Sequence, residues 1–83
     1  MNSQQLQHEI DLRNGQIDDR KLYLKRTDYQ SIRESEGGEP MNAGVKAARA
    51  QARVEINYLQ AEISDLETQL EAALEAEAAE EEA

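Results

Sequence analysis

The most regular feature of the chain is a repeating apolar pattern in its second half. From Ala52 to Ala73, apolar residues recur at alternating intervals of three and four positions. This is the heptad spacing of a helix that buries one stripe, here called the seam, against a neighbouring helix. The pattern predicts a long helix over residues 41–79. Its predicted seam residues are Ile56, Leu59, Ile63, Leu66 and Leu70.

A similar but less regular spacing runs through the first arm, residues 1–36. Its seam residues are Leu6, Ile10, Ile17 and Leu24. Charged residues, Arg13 and Arg20, occupy the heptad positions between them. Ser3 is the expected N-cap. Thr27, followed three residues later by glutamine, matches a capping box, which predicts a break near 27 and a short helix after it.

The sequence Gly37-Gly38-Glu39-Pro40 separates the two arms. Paired glycines suit the left-handed residue that ends a helix, and proline suits the first turn of the next helix. We therefore predict an all-α helical hairpin with a turn over 37–40 and a frayed acidic tail over 80–83. Two helices of this size offer little core, so we expect a homo-oligomer. The arms could pair within one chain or between chains.

Composition excludes several classes of protein. The 83 residues carry 18 acidic and 9 basic side chains, a formal net charge of −9, and no cysteine. Leu, Ile and Val together number 15, too few for a monomeric globule that encloses an active site. His8 is the only histidine. We therefore expect no catalytic residues, no metal, no cofactor and no small-molecule substrate, and hence no enzyme.

Charge is distributed unevenly along the chain. Residues 62–83 hold nine acids and no base, whereas the preceding residues are neutral overall. This end could serve solubility alone, or it could match the basic start of an antiparallel neighbour. The net charge opposes direct binding to nucleic acid, and no apolar run approaches the roughly 18 residues of a membrane span. The candidate acidic face is Glu67, Glu71 and Glu75.

Tyrosines are the other candidates for contacts, because interfaces are enriched in them. Tyr23 and Tyr29 flank the predicted break, and Ile32 lies one turn beyond it. These three residues form the candidate partner surface. Tyr58 lies in the middle of the second arm, where it could pack within the hairpin or against a partner.

Part of the chain, residues 20–63, resembles small accessory and assembly proteins of tailed bacteriophages that are associated with tails or tail fibres. In that pattern a helix ends at a Thr-Asp-Tyr turn, a short helix follows, and an Arg-rich helix carries an Ile-Asn-x-Leu seam. The matching residues are Tyr23-Leu24, Thr27-Asp28-Tyr29, Ile32, Glu36-Gly37, Arg49, Arg53, Glu55-Ile56-Asn57, Leu59 and Glu62-Ile63.

The resemblance implies a phage or prophage origin and a structural or assembly role. The expected location is then the host cytoplasm or the virion, and the expected partner is a larger phage assembly protein. A second hypothesis is a small acidic phage inhibitor of a host defence protein, which would mimic the charge of nucleic acid through the acidic face.

Overall fold

The computed structural model describes residues 1–82 of the chain as two long helices. Helix α1 spans Ser3–Ser35 and helix α2 spans Ala43–Glu82. The helices pack side by side as an antiparallel hairpin, 67 Å long and 17 Å by 15 Å across. With 89% of the chain helical and no strand in the described part, the predicted all-α hairpin is confirmed. Its oligomerisation stays a prediction.

The N-terminus of α1 is capped by Asn2 rather than by Ser3. The Asn2 side chain accepts a hydrogen bond from the Gln5 backbone N–H at 2.9 Å, and the Gln5 side chain accepts one from the Asn2 N–H at 3.0 Å. This reciprocal pair is a capping box built on asparagine and glutamine. The predicted N-cap is therefore wrong by one residue, because Asn2 has a glutamine at the required spacing.

The predicted break near Thr27 is absent, and α1 continues through it to Ser35. The Thr27 hydroxyl donates back to the carbonyl oxygen of Tyr23 at 2.9 Å instead of capping a new helix. The same hydroxyl accepts a hydrogen bond from Arg49 of α2. Because the packed neighbour supplies a donor for this hydroxyl, the local capping signal does not end the helix.

Helix α1 ends in a Schellman motif around the glycine pair. Gly37 has a φ of +84°, the left-handed conformation that favours glycine. The Gly38 N–H donates to Arg33 O at 2.8 Å and the Gly37 N–H donates to Glu34 O at 3.1 Å. The Glu34 carboxylate then accepts from the Met41 backbone N–H at 2.8 Å, which closes the connection between the helices.

Helix α2 begins two residues later than predicted and extends further. The Asn42 side chain accepts from the Gly44 N–H at 2.8 Å, so asparagine caps this helix and Pro40 lies outside its first turn. The helix runs to Glu82, three residues past the predicted end at 79. Of the predicted frayed tail, Ala83 lies outside the described residues.

The core is one line of apolar side chains between the helices. Buried members come from both helices, and half-buried residues extend the line toward both ends. The core cluster and the residues packed against it are Leu6, Ile10, Ile17, Leu24, Ile56, Leu59, Ile63, Leu66, Leu70 and Ala73. All nine predicted seam residues belong to this set. The seam is thus closed within a single chain, which leaves other surfaces for contacts with partners.

Replacing Gly15 by alanine is expected to stabilise the hairpin. Gly15 lies inside α1, and a Cβ atom added there meets no atom within 4 Å. The gain in helix propensity is about 0.5–1 kcal/mol, a rise in Tm of about 2–8 °C for a domain of this size. Thermal unfolding followed by circular dichroism measures it. Gly37→Ala is the control and should lower the Tm, since alanine is strained at positive φ. An unchanged Tm for Gly15→Ala would contradict the prediction.

Candidate functional site

Ion pairs bridge the two helices along one side of the seam. The Arg13 Nε atom lies 2.8 Å from a carboxylate oxygen of Glu62, and Arg20 Nε lies 2.5 Å from a carboxylate oxygen of Glu55. Both arginines occupy the heptad positions that interrupt the apolar spacing of α1. Each also donates to the backbone carbonyl four residues before it, at 3.0 Å. These arginines therefore keep their apolar stems near the seam while their charges meet acids of α2.

These contacts change the protonation equilibria of the groups involved. The hydrogen bond from Arg20, helped by a second from Gln51, holds the pKa of the Glu55 carboxyl below its usual value. Hydrogen bonds to Glu9 and Glu62 raise the pKa of the Arg13 guanidinium. Pairing thus favours the charged form of Glu55 in one bridge and of Arg13 in the other.

The lowered pKa of Glu55 gives a stability change with a definite sign. A carboxyl whose folded pKa lies below its unfolded value of about 4.3 stabilises the fold above that pH, and the contribution disappears as pH falls through the folded pKa. We expect Glu55→Gln to lower the Tm at pH 7 and to match wild type near pH 2.5. Glu67→Gln, which removes an exposed and unpaired carboxylate, is the control. An equal Tm deficit at both pH values would contradict the prediction.

Arg49 forms a buried polar network near the loop end of the seam. Its side chain is 6% exposed, although it lies at a seam position. Its guanidinium donates to Leu24 O at 2.6 Å, to the Thr27 hydroxyl at 2.5 Å and to Asp28 at 2.8 Å. This set of contacts is called the Arg49 network below. It ties one turn of α1, residues 24–28, to one turn of α2, and a polar residue at a seam position favours one alignment of the helices over others.

The structure separates the three residues of the predicted partner surface. Tyr29 and Ile32 are 58% and 57% exposed on the outer side of α1. Tyr23 is half-buried and lines a groove between the helices with Ala48 and Ala52. Six residues of continuous helix place Tyr23 about 120° around the axis from Tyr29. The predicted cluster of all three is therefore wrong, because it required the break at Thr27.

One exposed apolar strip remains on α1 near the loop end. Leu22, 43% exposed, lies one heptad before Tyr29 and so on the same side of the helix. The Arg33 guanidinium carbon lies 5.4 Å from the centre of the Tyr29 ring, a cation–π contact that orders the ring at the surface. Leu22, Tyr29 and Ile32 are called the α1 outer patch below.

A second exposed apolar surface lies on α2 and was not predicted. Val54 and Tyr58 are 46% and 68% exposed, and with Asn57 and Ala61 they line a shallow apolar groove. Of the two alternatives for Tyr58, packing within the hairpin is not observed, because the side chain is exposed and points away from α1. A signal for this surface exists in the sequence, since apolar residues recur every three or four positions there as well. Together the members of this α2 outer face are Ala47, Ala50, Val54, Tyr58 and Ala61.

The candidate acidic face is exposed along α2. Glu67, Glu71 and Glu75 lie on the surface, and none of them forms an ion pair with any described residue. Farther along the helix, the Glu77 carboxylate accepts a hydrogen bond from the Ser3 backbone N–H at 3.4 Å. Near its C-terminal end, α2 thus places one carboxylate, that of Glu77, at the positive N-terminal end of α1. The three carboxylates of the acidic face are exposed to solvent.

No group of three or more metal-ligating side chains occurs in the part of the chain that the structure describes. Within residues 1–82, neither helix is long and apolar enough to cross a membrane. No protein-family model, curated protein or solved structure matches the chain.

Proposed function

We propose that the protein is a non-enzymatic structural or assembly protein of a phage or prophage. It acts as a self-associating helical hairpin that docks on a larger phage assembly in the host cytoplasm or in the virion. The observation that carries the proposal is that some of the apolar residues are buried between the helices while others are exposed to solvent. The seam residues pack against one another within the chain, whereas Tyr29 and Ile32 remain more than half exposed. The phage context rests on the sequence resemblance over residues 20–63 alone, and in the structure its Thr-Asp-Tyr turn is continuous helix.

The α1 outer patch is the proposed docking surface. Large apolar side chains on one helix face are typical anchors for a partner's groove, and tyrosine is among the residues that dominate binding energy. Arg33 already orders the Tyr29 ring, so less side-chain entropy is lost when a partner covers it. The surrounding charges, Lys25 and Arg26 among them, would form a polar rim.

The test is incorporation of the hairpin into phage particles. A chain with Tyr29→Glu and Ile32→Glu is expressed during phage growth beside wild type, and particles are purified on a density gradient. We expect wild type to co-purify with particles or with assembly intermediates and the double variant to be depleted at least tenfold. The loss follows from placing two carboxylates in an apolar contact.

Leu12→Glu is the matched control, since Leu12 is 49% exposed on α1 but lies outside the patch. It should co-purify like wild type. All variants should keep the helical circular dichroism of wild type, because none of the substituted residues belongs to the core. Equal recovery of the double variant and wild type would refute the docking surface. Absence of wild type from every assembled fraction would refute the assembly role.

The second candidate function is inhibition of a host defence protein through the acidic face. The observation that favours it is the exposure of Glu67, Glu71 and Glu75 without any ion pair among the described residues. A row of carboxylates one turn apart, without ion pairs among the described residues, can meet the Lys and Arg side chains in the nucleic-acid-binding groove of a host protein. Changing all three to glutamine should abolish such inhibition and leave particle incorporation unchanged. Retained inhibition by the triple variant would exclude this function for the acidic face.

A further inference from the structure

The α2 outer face is an apolar surface that the hairpin leaves uncovered. Val54 and Tyr58 each lie two residues from Ile56, which rotates them about 200° from the seam. Ile56 is buried against α1, whereas Val54 and Tyr58 are 46% and 68% exposed. Helix α2 thus carries apolar residues on two opposite sides, and one of them has no neighbour in the hairpin. The uncovered apolar side is therefore available to a second neighbour.

The hairpin exposes more surface than a compact monomer of the same mass. The 9.4 kDa chain exposes 6080 Å², whereas a compact monomer of this mass exposes about 5,000 Å². The difference of about 1,000 Å² is similar to the ~800 Å² that each partner buries in a stable interface of standard size. The elongated hairpin, 67 Å long and 17 Å by 15 Å across, therefore exposes enough surface to supply an interface of this size.

The charges of α2 select a second copy in the antiparallel direction. Before Tyr58, Lys46 and Arg53 are exposed on the flank of α2 between the seam and the α2 outer face, where the Lys46 ammonium lies 3.7 Å from the Glu34 carboxylate of α1. After Tyr58, residues 62–82 contain nine acids and no base. Two parallel copies would place these acids against each other. Two antiparallel copies centred between Val54 and Tyr58 place Lys46 of each α2 opposite the turn that holds Asp65 of the other, which lowers repulsion and steers association.

We propose that the α2 outer face binds the same face of a second copy in antiparallel orientation, which forms a four-helix dimer. The contact is isologous, so Val54 and Tyr58 of each chain meet residues of the same face on the other. This inference rests on the self-association in the proposed function and names its surface and its partner. The α1 outer patch lies on the other helix and stays free for docking.

The first test is the absolute mass in solution. Light scattering after size exclusion at about 100 µM should give twice 9.4 kDa for wild type. Val54→Glu and Tyr58→Glu, made separately, should each halve the mass, because each places a carboxylate inside the contact. Leu22→Glu on α1 is the matched control and should remain a dimer. Tyr58→Ala removes the ring without adding charge and should raise the dissociation constant at least tenfold.

The second test measures orientation. Gln69 is exposed on α2 and lies eleven residues after Tyr58. A spin label on Gln69→Cys should give an inter-label distance of roughly 40 Å in an antiparallel dimer centred between Val54 and Tyr58, given a rise of about 1.5 Å per residue. A parallel dimer would bring the labels within about 20 Å.

Several results would overturn the inference. A wild-type mass of 9.4 kDa at this concentration refutes the dimer. A dimer that survives both glutamate substitutions on α2, or that dissociates with Leu22→Glu instead, refutes the surface. A short distance between labels refutes the orientation. None of these results affects the docking test on Tyr29 and Ile32, so failure of the dimer and failure of the assembly role can be told apart.

Discussion

Replacing Ile63 by aspartate is expected to abolish the hairpin. Ile63 is 8% exposed and lies between the helices in the middle of the core cluster. The substitution loses about 2–3 kcal/mol of apolar burial and places a carboxylate where no donor is available, which adds several kcal/mol more. A domain of this size has a total stability of about 4–12 kcal/mol. We therefore expect most of the helical signal at 222 nm to be lost at 25 °C.

Ser64→Asp provides the control for this prediction. Ser64 is the next residue of α2 and is exposed, so the substitution adds the same charge to the same turn without entering the core. It should leave the helical signal of wild type and its Tm nearly unchanged. A folded Ile63→Asp variant with the wild-type Tm would show that Ile63 does not face α1. Unfolding by both substitutions would show instead that added charge alone disrupts α2.

The hairpin and its seam could be predicted because they depend on periodicity alone. Residues three and four positions apart lie on one side of any α-helix, so Ile56, Leu59 and Ile63 had to share a face wherever α2 began. The glycine pair was expected to end α1, since the left-handed backbone conformation that ends a helix costs little energy only for glycine. What periodicity could not decide was whether the arms pair within one chain or between two. In the structure they pair within one chain.

Helix ends and breaks were harder to predict, because local signals compete there with contacts from the other helix. Thr27 carries the sequence of a cap, but Arg49, distant in sequence, donates to its hydroxyl and holds it inside a continuous helix. The same continuity separates Tyr23 from Tyr29. Tyr23 therefore does not share a surface with Tyr29 and Ile32 for one reason: a side chain of α2 decided the local structure of α1.

The α2 outer face was missed for a different reason. Alanine is common on exposed and on buried helix faces, so Ala47, Ala50 and Ala61 carry little directional information in a sequence. Only the seam stood out, since its larger residues are concentrated on one side. In the structure the seam is buried within the chain, and the exposed Val54 and Tyr58 identify a second apolar side of α2. The spacing of residues in the sequence does not by itself distinguish this side from a solvated helix surface.

Removing the carboxylate of Asp28 is expected to destabilise the hairpin by about 1–3 kcal/mol. Asp28→Ala leaves the guanidinium of Arg49, which is 6% exposed, without the one charged partner that it has among residues 1–82. A buried charged donor that loses an acceptor retains its desolvation cost and loses the compensating bond. Chemical denaturation followed by circular dichroism measures the loss. Asp18→Ala, at an exposed acidic position of α1 that forms no ion pair among the described residues, should cost less than about 0.5 kcal/mol.

A double-mutant cycle then separates the cost of an unpaired charge from the value of the pair. Arg49→Met fills the same space with an apolar side chain, so Arg49→Met combined with Asp28→Ala should recover most of the stability lost in Asp28→Ala. If the double variant is as unstable as the sum of the single variants, Arg49 and Asp28 are not coupled.

If the double variant recovers stability while the helices slip in register, the Arg49 network contributes alignment rather than stability. A spin-label distance between Gln4 and Gln51, both exposed and about 30 Å apart along the axis of the hairpin, would report such a slip. A shift by one helical turn changes this distance by about 5 Å, because each turn rises about 5.4 Å along that axis. Arginine at this seam position would then be the residue that selects one antiparallel alignment over the neighbouring ones.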